Sequence, residues 1–261
     1  MRELLTMWKS TRMVVLTAVC AACYVAVLLP FKIAVLVPGL TEVRPGAAVP
    51  VLMSLLFGPA AAWGAAIGNL VADFLGGMFG PGSFFGFVGN FLYGYLPYSI
   101  WRAFRGHARP GEGGRADWLL VAAAMVAGCF AIASAIGWGV DLLGLAPFAA
   151  LGNIILVNNL LSSLALALPL VALLYPRVER AGLVWHDVMD LAPPPSGRRG
   201  VGAILAVAGA LAAFAVGDAI AFGALDASFG AAGFAGVTGT AAIGAGVAPF
   251  LVVMLVGCAL L

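Results

Sequence analysis

The chain has 261 residues, of which 63% are hydrophobic and only 9% are charged, and its mean hydropathy is +1.10. Soluble domains carry about 25% charged residues, so the composition excludes a soluble globular protein and predicts an all-α polytopic membrane protein. The net charge of +2 comes from basic residues scattered among short loops, which a membrane protein explains, and we expect no nucleic-acid partner.

Apolar runs of about 20 residues, the length that a membrane-spanning helix needs, recur along the chain. The first, 13–29, is longer than the apolar region of a typical signal peptide, so we interpret it as a retained helix. A loop interrupted by prolines at 30, 38 and 45 follows it. The remaining predicted spans, in chain order, are 47–57, 60–75, 84–103, 118–138, 148–174, 201–222 and 241–261.

The distribution of lysine and arginine predicts the orientation of these eight spans. If the N-terminus is inside, the inner segments hold eleven of the thirteen basic residues, and only Lys32 and Arg44 lie outside. Cytoplasmic loops carry the excess of positive charge, so both termini are predicted to be cytoplasmic.

The longest polar segment divides the chain. It covers 177–199 and contains three consecutive prolines at 193–195. We predict a six-helix membrane domain at 1–176, a cytoplasmic polar linker at 177–199 and a two-helix C-terminal membrane extension at 200–261.

Polar residues recur in one half of this predicted bundle. In "GAAIGNLVADFLGG", Asn69 and Asp73 are four residues apart and therefore share one helix face. Because an unpaired polar group away from water is costly, we expect both to have partners. The outer loop and the outer halves of the helices add further candidate site residues: Lys32, Glu42, Arg44, Asn90, Tyr93, Trp138, Asn153 and Asn158. Asn159, next to Asn158, lies in the same outer half.

Two interpretations of this polar set are open. Intramembrane polar residues often mark a substrate path, and an amide-rich pocket with a carboxylate and aromatic rings suits a small, planar, hydrogen-bonding ligand. The alternative is that the amides only connect helix to helix. We favour a substrate pocket, because the residues lie at the same predicted depth.

Signatures of other chemistry are missing from the sequence. It has no G-x-x-x-x-G-K-[ST] motif for a nucleotide, no intramembrane chain of acids or histidines for proton relay, and no catalytic or metal-binding constellation. His107 and His186 lie in predicted cytoplasmic loops, and the four cysteines lie in predicted spans as small apolar residues. We therefore predict no enzyme activity, no cofactor and no metal.

Small residues repeat every four positions in the first span, at Ala18, Ala22 and Ala26. Such a stripe lets another helix approach closely, either from the same chain or from another subunit. A second stripe, within 60–68, is explained by packing inside the chain.

The alanine stripe, followed by "TEVRPGAAVP", "LLFGPAAAWGAAIGNLVADFLGG" and "GFVGNFLYGYLPYSIWR" in this order and spacing, resembles the substrate-binding S component of energy-coupling factor (ECF) transporters over residues 10–176. The resemblance implies a six-helix bundle in a prokaryotic plasma membrane that binds a micronutrient from the outside. It makes the loop at 32–44 a lid and supports as pocket contacts Asn69, Asp73, Asn90, Trp138 and Asn153.

The resemblance also implies partners. Ala18, Ala22 and Ala26 would dock on a membrane T component that is coupled to two cytoplasmic ATPases, which explains why this chain needs no ATP site. The "EVRP" before the second span is similar to the queuosine-precursor branch, and riboflavin, cobalamin, folate and biotin remain alternative substrates. The pair of helices in 200–261 departs from the six-helix pattern.

Two other functions are weighed against an S component. A self-contained secondary transporter is disfavoured because the sequence shows no inverted repeat and few intramembrane ionisable groups. A non-catalytic membrane assembly factor requires only packing faces and is compatible with the sequence.

Overall fold

The computed structural model describes residues 2–33, 45–191, 198–225 and 241–261, and the regular structure in these ranges is helical. Five helices there are long and apolar enough to cross a membrane, which confirms an all-α polytopic membrane protein. The helices are α1 (Arg2–Thr6), α2 (Thr11–Ile33), α3 (Ala48–Phe57), α4 (Pro59–Leu75), α5 (Gly82–Arg105), α6 (Arg115–Leu142), α7 (Phe148–Ser162), α8 (Leu168–Arg180), α9 (Trp185–Val188), α10 (Arg198–Ala221) and α11 (Ala241–Leu260), with 3₁₀ turns at Met7–Lys9 and Pro45–Ala47.

The first long helix extends further than the sequence indicated. Helix α2 continues through Pro30 to Ile33, so the prediction that Pro30 begins a loop was wrong. Transmembrane helices tolerate an internal proline because the loss is limited to one helical hydrogen bond and neighbouring helices compensate. As a result, the backbone of Lys32 is helical.

Helix α6 is also longer than predicted, and aspartates near its two ends accept backbone hydrogen bonds from the adjoining segments. Near its start, the Gly113 N–H donates to Asp117 Oδ2 over 2.6 Å. At its end, Asp141 Oδ2 accepts the N–H of Phe148, the first residue of α7, over 2.8 Å. The bond to Asp141 satisfies one of the N–H groups that the first turn of α7 leaves unpaired.

The predicted span 148–174 is one continuous helical segment that is interrupted by a π-helical turn. A π-helical turn at Ser163–Ala167 joins α7 to α8, which continues to Arg180. Pro169 follows this turn; its ring would clash with the carbonyl four residues earlier in a regular α-helix, and the wider turn accommodates it.

Small residues set the distances between helices. Helix α4 presents Gly64 and Gly68 to α2, where an added Cβ at Gly68 would lie 3.0 Å from the Ala21 carbonyl oxygen. On α5, a Cβ at Gly94 would lie 2.9 Å from the Ala61 carbonyl oxygen. This packing accounts for the small stripe at 60–68, as predicted.

The C-terminal helices pack on the preceding bundle and on each other. Gly209 of α10 and Gly257 of α11 lie directly against the backbone of the opposite helix. The Tyr95 hydroxyl of α5 donates to the Cys258 carbonyl over 2.9 Å, and Ser134 of α6 donates to the Ala210 carbonyl over 3.2 Å. These contacts join α10 and α11 to α5 and α6.

The bundle has two chemically different ends. We name the end at which 76–81 connects α4 to α5 the cavity end, and the end at which 106–114 connects α5 to α6 the charged end. At the charged end Arg102 Nη1 and Glu3 Oε1 form an ion pair of 2.7 Å with both side chains buried. The Arg102 guanidinium also lies over the Trp185 ring, 5.1 Å from its centroid.

Candidate functional site

A small polar cavity lies inside the bundle at the cavity end. Its volume is about 60 Å³. Isoleucines and leucine of α6 and α7 form its apolar side, and polar side chains of α2, α4, α5 and α7 form the other. The polar residues are Tyr24, Asn69, Asn90, Asn158 and Asn159.

Asn90 is held in place by two other helical residues. Its Oδ1 accepts the Tyr24 hydroxyl of α2 over 2.8 Å, and its Nδ2 donates to the Gly86 carbonyl one turn earlier over 2.8 Å. Both Asn90 and Tyr24 are buried. The amide orientation is therefore fixed from two sides before any ligand is bound.

Asn69 and Asp73 are partners, which explains this pair in so apolar a segment. The Asn69 Nδ2 donates to Asp73 Oδ2 over 3.2 Å along α4. Helix α5 passes so close that a Cβ at Gly86 would lie 2.8 Å from Asn69 Nδ2. Gly86 therefore contacts the Asn69 amide and accepts the hydrogen bond of Asn90, which couples the two amides.

Asn159 lines this cavity and carries an unsatisfied donor. The residue is 5% exposed, and its Nδ2 is buried without a hydrogen-bond partner among the described residues. A buried polar group in that condition costs about 1–3 kcal/mol relative to a satisfied one. The neighbouring Asn158 is more exposed and lines the same cavity.

Tyr93 lies one helical turn from Asn90 and closes the region beneath the cavity. Its hydroxyl donates to the Ala47 carbonyl over 3.0 Å and lies 2.7 Å from Ser163 Oγ, which therefore donates to it. Ser163 begins the π-helical turn, and Cys129 Sγ lies 3.4 Å from its hydroxyl. Tyr93 is fully buried and does not line the cavity.

Two other predicted site residues are placed elsewhere. Trp138 Nε1 donates to the Gly244 carbonyl of α11 over 3.1 Å. Asn153 Nδ2 donates to both carboxylate oxygens of Asp218 on α10, over 2.9 and 3.0 Å. Both side chains thus face the C-terminal helices. The sequence predicts how deep a residue lies in the membrane, but it does not define the rotation of the helix about its axis. This rotation decides which neighbour a side chain contacts.

The remaining predicted contacts come from the first loop. Glu42 and Arg44 lie outside the described residues, as does the side chain of Lys32 and most of the predicted lid at 32–44. Among the residues that can be compared, the structure brings together Asn69, Asn90 and Asn158, with Asp73 behind Asn69.

Sequence reasoning missed Tyr24 and did not include Asn159 among the candidate contacts. Tyr24 is the one aromatic residue in 13–29, and an isolated hydroxyl in such a segment is a usable signal. Ala18, Ala22 and Ala26 lie on the opposite side of α2 and are exposed.

The described residues contain no group of three histidine, cysteine, aspartate or glutamate side chains that could hold a metal ion. The cavity instead presents neutral amides and one phenol, which can donate and accept hydrogen bonds at the same time. Such groups can form several hydrogen bonds with one polar molecule.

Apolar helices around a buried polar cavity define the class: a multi-pass membrane protein with a polar cavity inside its bundle. A family model described as QueT transporter matches residues 14–176, more than half of the chain, and the chain belongs to this family. QueT transporters are S components of ECF transporters and serve queuosine-precursor uptake. The chain is therefore a substrate-binding component of an uptake transporter. No curated protein and no solved structure matches it.

Proposed function

We propose that this chain is the S component of an ATP-driven ECF transporter in a prokaryotic plasma membrane and that it captures a queuosine precursor, a small planar heteroaromatic compound. The observation that carries the proposal is the buried Asn159 Nδ2, which has no partner among the described residues. Asn159 lines a cavity to which three other helices contribute polar side chains. The family of the chain supports the same function.

The cavity chemistry matches such a ligand. Asn69, Asn90, Asn158 and Asn159 contribute amide donors and acceptors for the edge of a heteroaromatic ring. Apolar side chains of α6 and α7 cover its faces. Tyr24 and Asp73 orient Asn90 and Asn69, and we assign Trp138 and Asn153 to the packing of the C-terminal helices.

The cavity must widen to hold the ligand. Its volume of about 60 Å³ is well below the ~300 Å³ at the lower end of small-molecule pockets. Isoleucines at 132, 136 and 154 form the movable wall, since apolar side chains can change rotamer without breaking hydrogen bonds. We therefore expect substrate binding to alter the packing of α6 against α7.

The substrate enters from outside the cell in this proposal. The charged end holds Arg102, Arg105, Arg109 and Arg180, and cytoplasmic segments carry the excess of positive charge. The cavity end then faces outward and both termini are cytoplasmic. Within this topology, 1–176 is the substrate-binding domain, 177–199 a cytoplasmic linker and 200–261 a C-terminal membrane extension.

The partners are a membrane T component and two cytoplasmic ATPases. Ala18, Ala22 and Ala26 form an exposed small-residue face on α2, and such a face allows a second helix to approach closely. The sequence contains no P-loop motif, which agrees with a motor on separate polypeptides.

The first test identifies the bound molecule. The full chain is purified in detergent and denatured, and the released small molecules are analysed by mass spectrometry. A queuosine precursor in about equimolar amount supports the proposal. An empty protein that shows no thermal shift with queuosine precursors or with a vitamin panel contradicts it and favours an assembly factor.

The docking face is tested by Ala22→Trp. The bulky ring should prevent co-purification with a T component and leave ligand affinity unchanged, because Ala22 is exposed on the side of α2 away from Tyr24. Ala208→Trp, at an exposed alanine of α10, is the matched control and should assemble normally. Equal loss of assembly and of ligand binding in Ala22→Trp contradicts the assignment of this face to docking. In a separate uptake assay, transport that needs no ATPase would indicate a secondary transporter.

A further inference from the structure

A second, larger cavity lies at the charged end, between α1, the start of α10 and the last turn of α5. Its volume is about 610 Å³. The side chains of Arg2, Lys9, Arg102 and Arg199 line it together with Glu3. Four cations thus face one carboxylate.

The carboxylate is already engaged by one of these cations. Glu3 Oε1 accepts Arg102 Nη1 at 2.7 Å, and each side chain is only 6% exposed. The pair neutralises a single positive charge, so the cavity retains an excess of three. No other acidic side chain lines it among the described residues.

Two guanidinium donors at this cavity are unsatisfied. Arg102 Nε and Arg199 Nη1 are buried and have no hydrogen-bond partner among the described residues. Arg102 is 5% exposed as a whole residue and is fixed by Glu3 on one side and the Trp185 ring on another. A buried cationic donor without an acceptor is costly, and an anion with several acceptor oxygens would satisfy both donors.

We propose that the cavity between α1, α5 and α10 binds a phosphate group. Guanidinium groups present parallel N–H donors that match phosphate oxygens, and Lys9 adds a point charge. Two sources share this chemistry: the headgroup of an anionic phospholipid and free inorganic phosphate. The apolar residues Val188, Met189 and Leu191 also line the cavity and provide a surface for a glycerol backbone. This site is separate from the amide cavity, and its test does not depend on the transported substrate.

The test uses native mass spectrometry of the full chain with phosphatidylglycerol as the probe and phosphatidylcholine as the control lipid, whose choline neutralises its own phosphate. The variant is Arg199→Gln. Arg180→Gln is the matched control because Arg180 is exposed, lies at the same end and does not line the cavity. If Arg199→Gln fails to fold, Lys9→Gln, at an exposed lining residue, replaces it.

We expect wild type and Arg180→Gln to retain one phosphatidylglycerol, and Arg199→Gln to bind it at least about tenfold more weakly, as for loss of one charge-assisted hydrogen bond. Displacement by inorganic phosphate, or thermal protection by phosphate alone in wild type and Arg180→Gln, identifies free phosphate as the ligand. Absence of such competition identifies the headgroup. Equal retention of both lipids without thermal protection by phosphate, or equal loss in the two arginine variants, overturns the proposal.

Discussion

The two ends of the bundle bury polar groups in different ways. At the cavity end the donors are neutral: a phenol donates to an amide, and an amide donates to a carboxylate that lies one turn away. At the charged end the partners are an arginine and a glutamate from segments 99 residues apart in the sequence. Neutral donors can exchange a protein partner for a ligand at small cost, whereas separating a buried ion pair is expensive.

The difference assigns the two ends different tasks. Ligand binding gains free energy where it satisfies a buried donor that has no protein partner. Asn159 Nδ2, which has no partner among the described residues, is such a donor. The Glu3–Arg102 pair instead fixes α1 and α5 relative to each other. We therefore expect substitutions in the Glu3–Arg102 pair to act mainly on stability and those in the amide cavity to act mainly on substrate binding.

The largest expected effect is on the ion pair. Glu3→Met leaves Arg102 charged and buried, and should lower the free energy of unfolding by about 3 kcal/mol. The double variant Glu3→Met/Arg102→Met should recover most of this loss, because it removes both charges. Chemical unfolding in detergent measures both. Similar destabilisation by the single and double variants would show that the pair is not a coupled unit.

The same pair predicts a dependence on pH. Burial opposes ionisation of Glu3, but a backbone hydrogen bond and the nearby cations Arg102 and Arg199 outweigh it, so its pKa lies below the usual 4.5. A carboxylate with a lowered pKa in the folded state contributes stability that is present above the unfolded pKa and lost as the pH falls through the folded one. Glu3→Met should lack this loss below pH 4.5. An identical acid profile in wild type and variant would contradict the prediction.

An intermediate effect is expected for Tyr24→Phe. The variant removes the donor to Asn90 Oδ1 and leaves a buried acceptor, which costs about 1–3 kcal/mol. Ligand affinity should fall as well, because the Asn90 amide loses one of its two fixed contacts. Tyr95→Phe is the matched control: it removes the bond to the Cys258 carbonyl and should lower stability without changing affinity. Equal affinity losses would show that both tyrosines act through general stability.

The smallest effect is expected for Gly86→Ala. The added methyl would lie 2.8 Å from Asn69 Nδ2, the end of a flexible side chain. The amide should shift by a few tenths of an ångström, so that ligand affinity falls severalfold while the unfolding temperature changes little. Gly80→Ala, where a Cβ meets open space, is the control. Calorimetry on both variants measures the difference, and unchanged affinity in Gly86→Ala would remove Asn69 from the site.

Much of this architecture could be predicted from the sequence because apolar runs and their interruptions determine the helices. The depth of Asn69, Asn90 and Asn158 followed from the same runs, and these three residues do converge. Depth follows from counting along a helix, which needs no knowledge of its neighbours.

Rotation about the helix axis could not be predicted in this way. Asn153 and Asn158 share α7, yet one contacts Asp218 and the other lines the cavity. Which face of α7 meets α10 depends on the packing of several helices at once. Tyr24 was missed for a related reason: it lies two residues, about 200° of rotation, from Ala22, on the face opposite the alanine stripe.

The most direct test of the account compares two asparagines of the same helix. Purified wild type, Asn159→Ala and Asn153→Ala are titrated with a queuosine precursor by calorimetry, and their thermal unfolding is recorded. We predict that Asn159→Ala weakens binding by about 1–3 kcal/mol, which corresponds to about fivefold to 150-fold, with little loss of stability. Asn153→Ala should bind normally but unfold at a lower temperature, because Asp218 loses its partner. Normal binding by Asn159→Ala would contradict the assignment of the amide cavity as the substrate site.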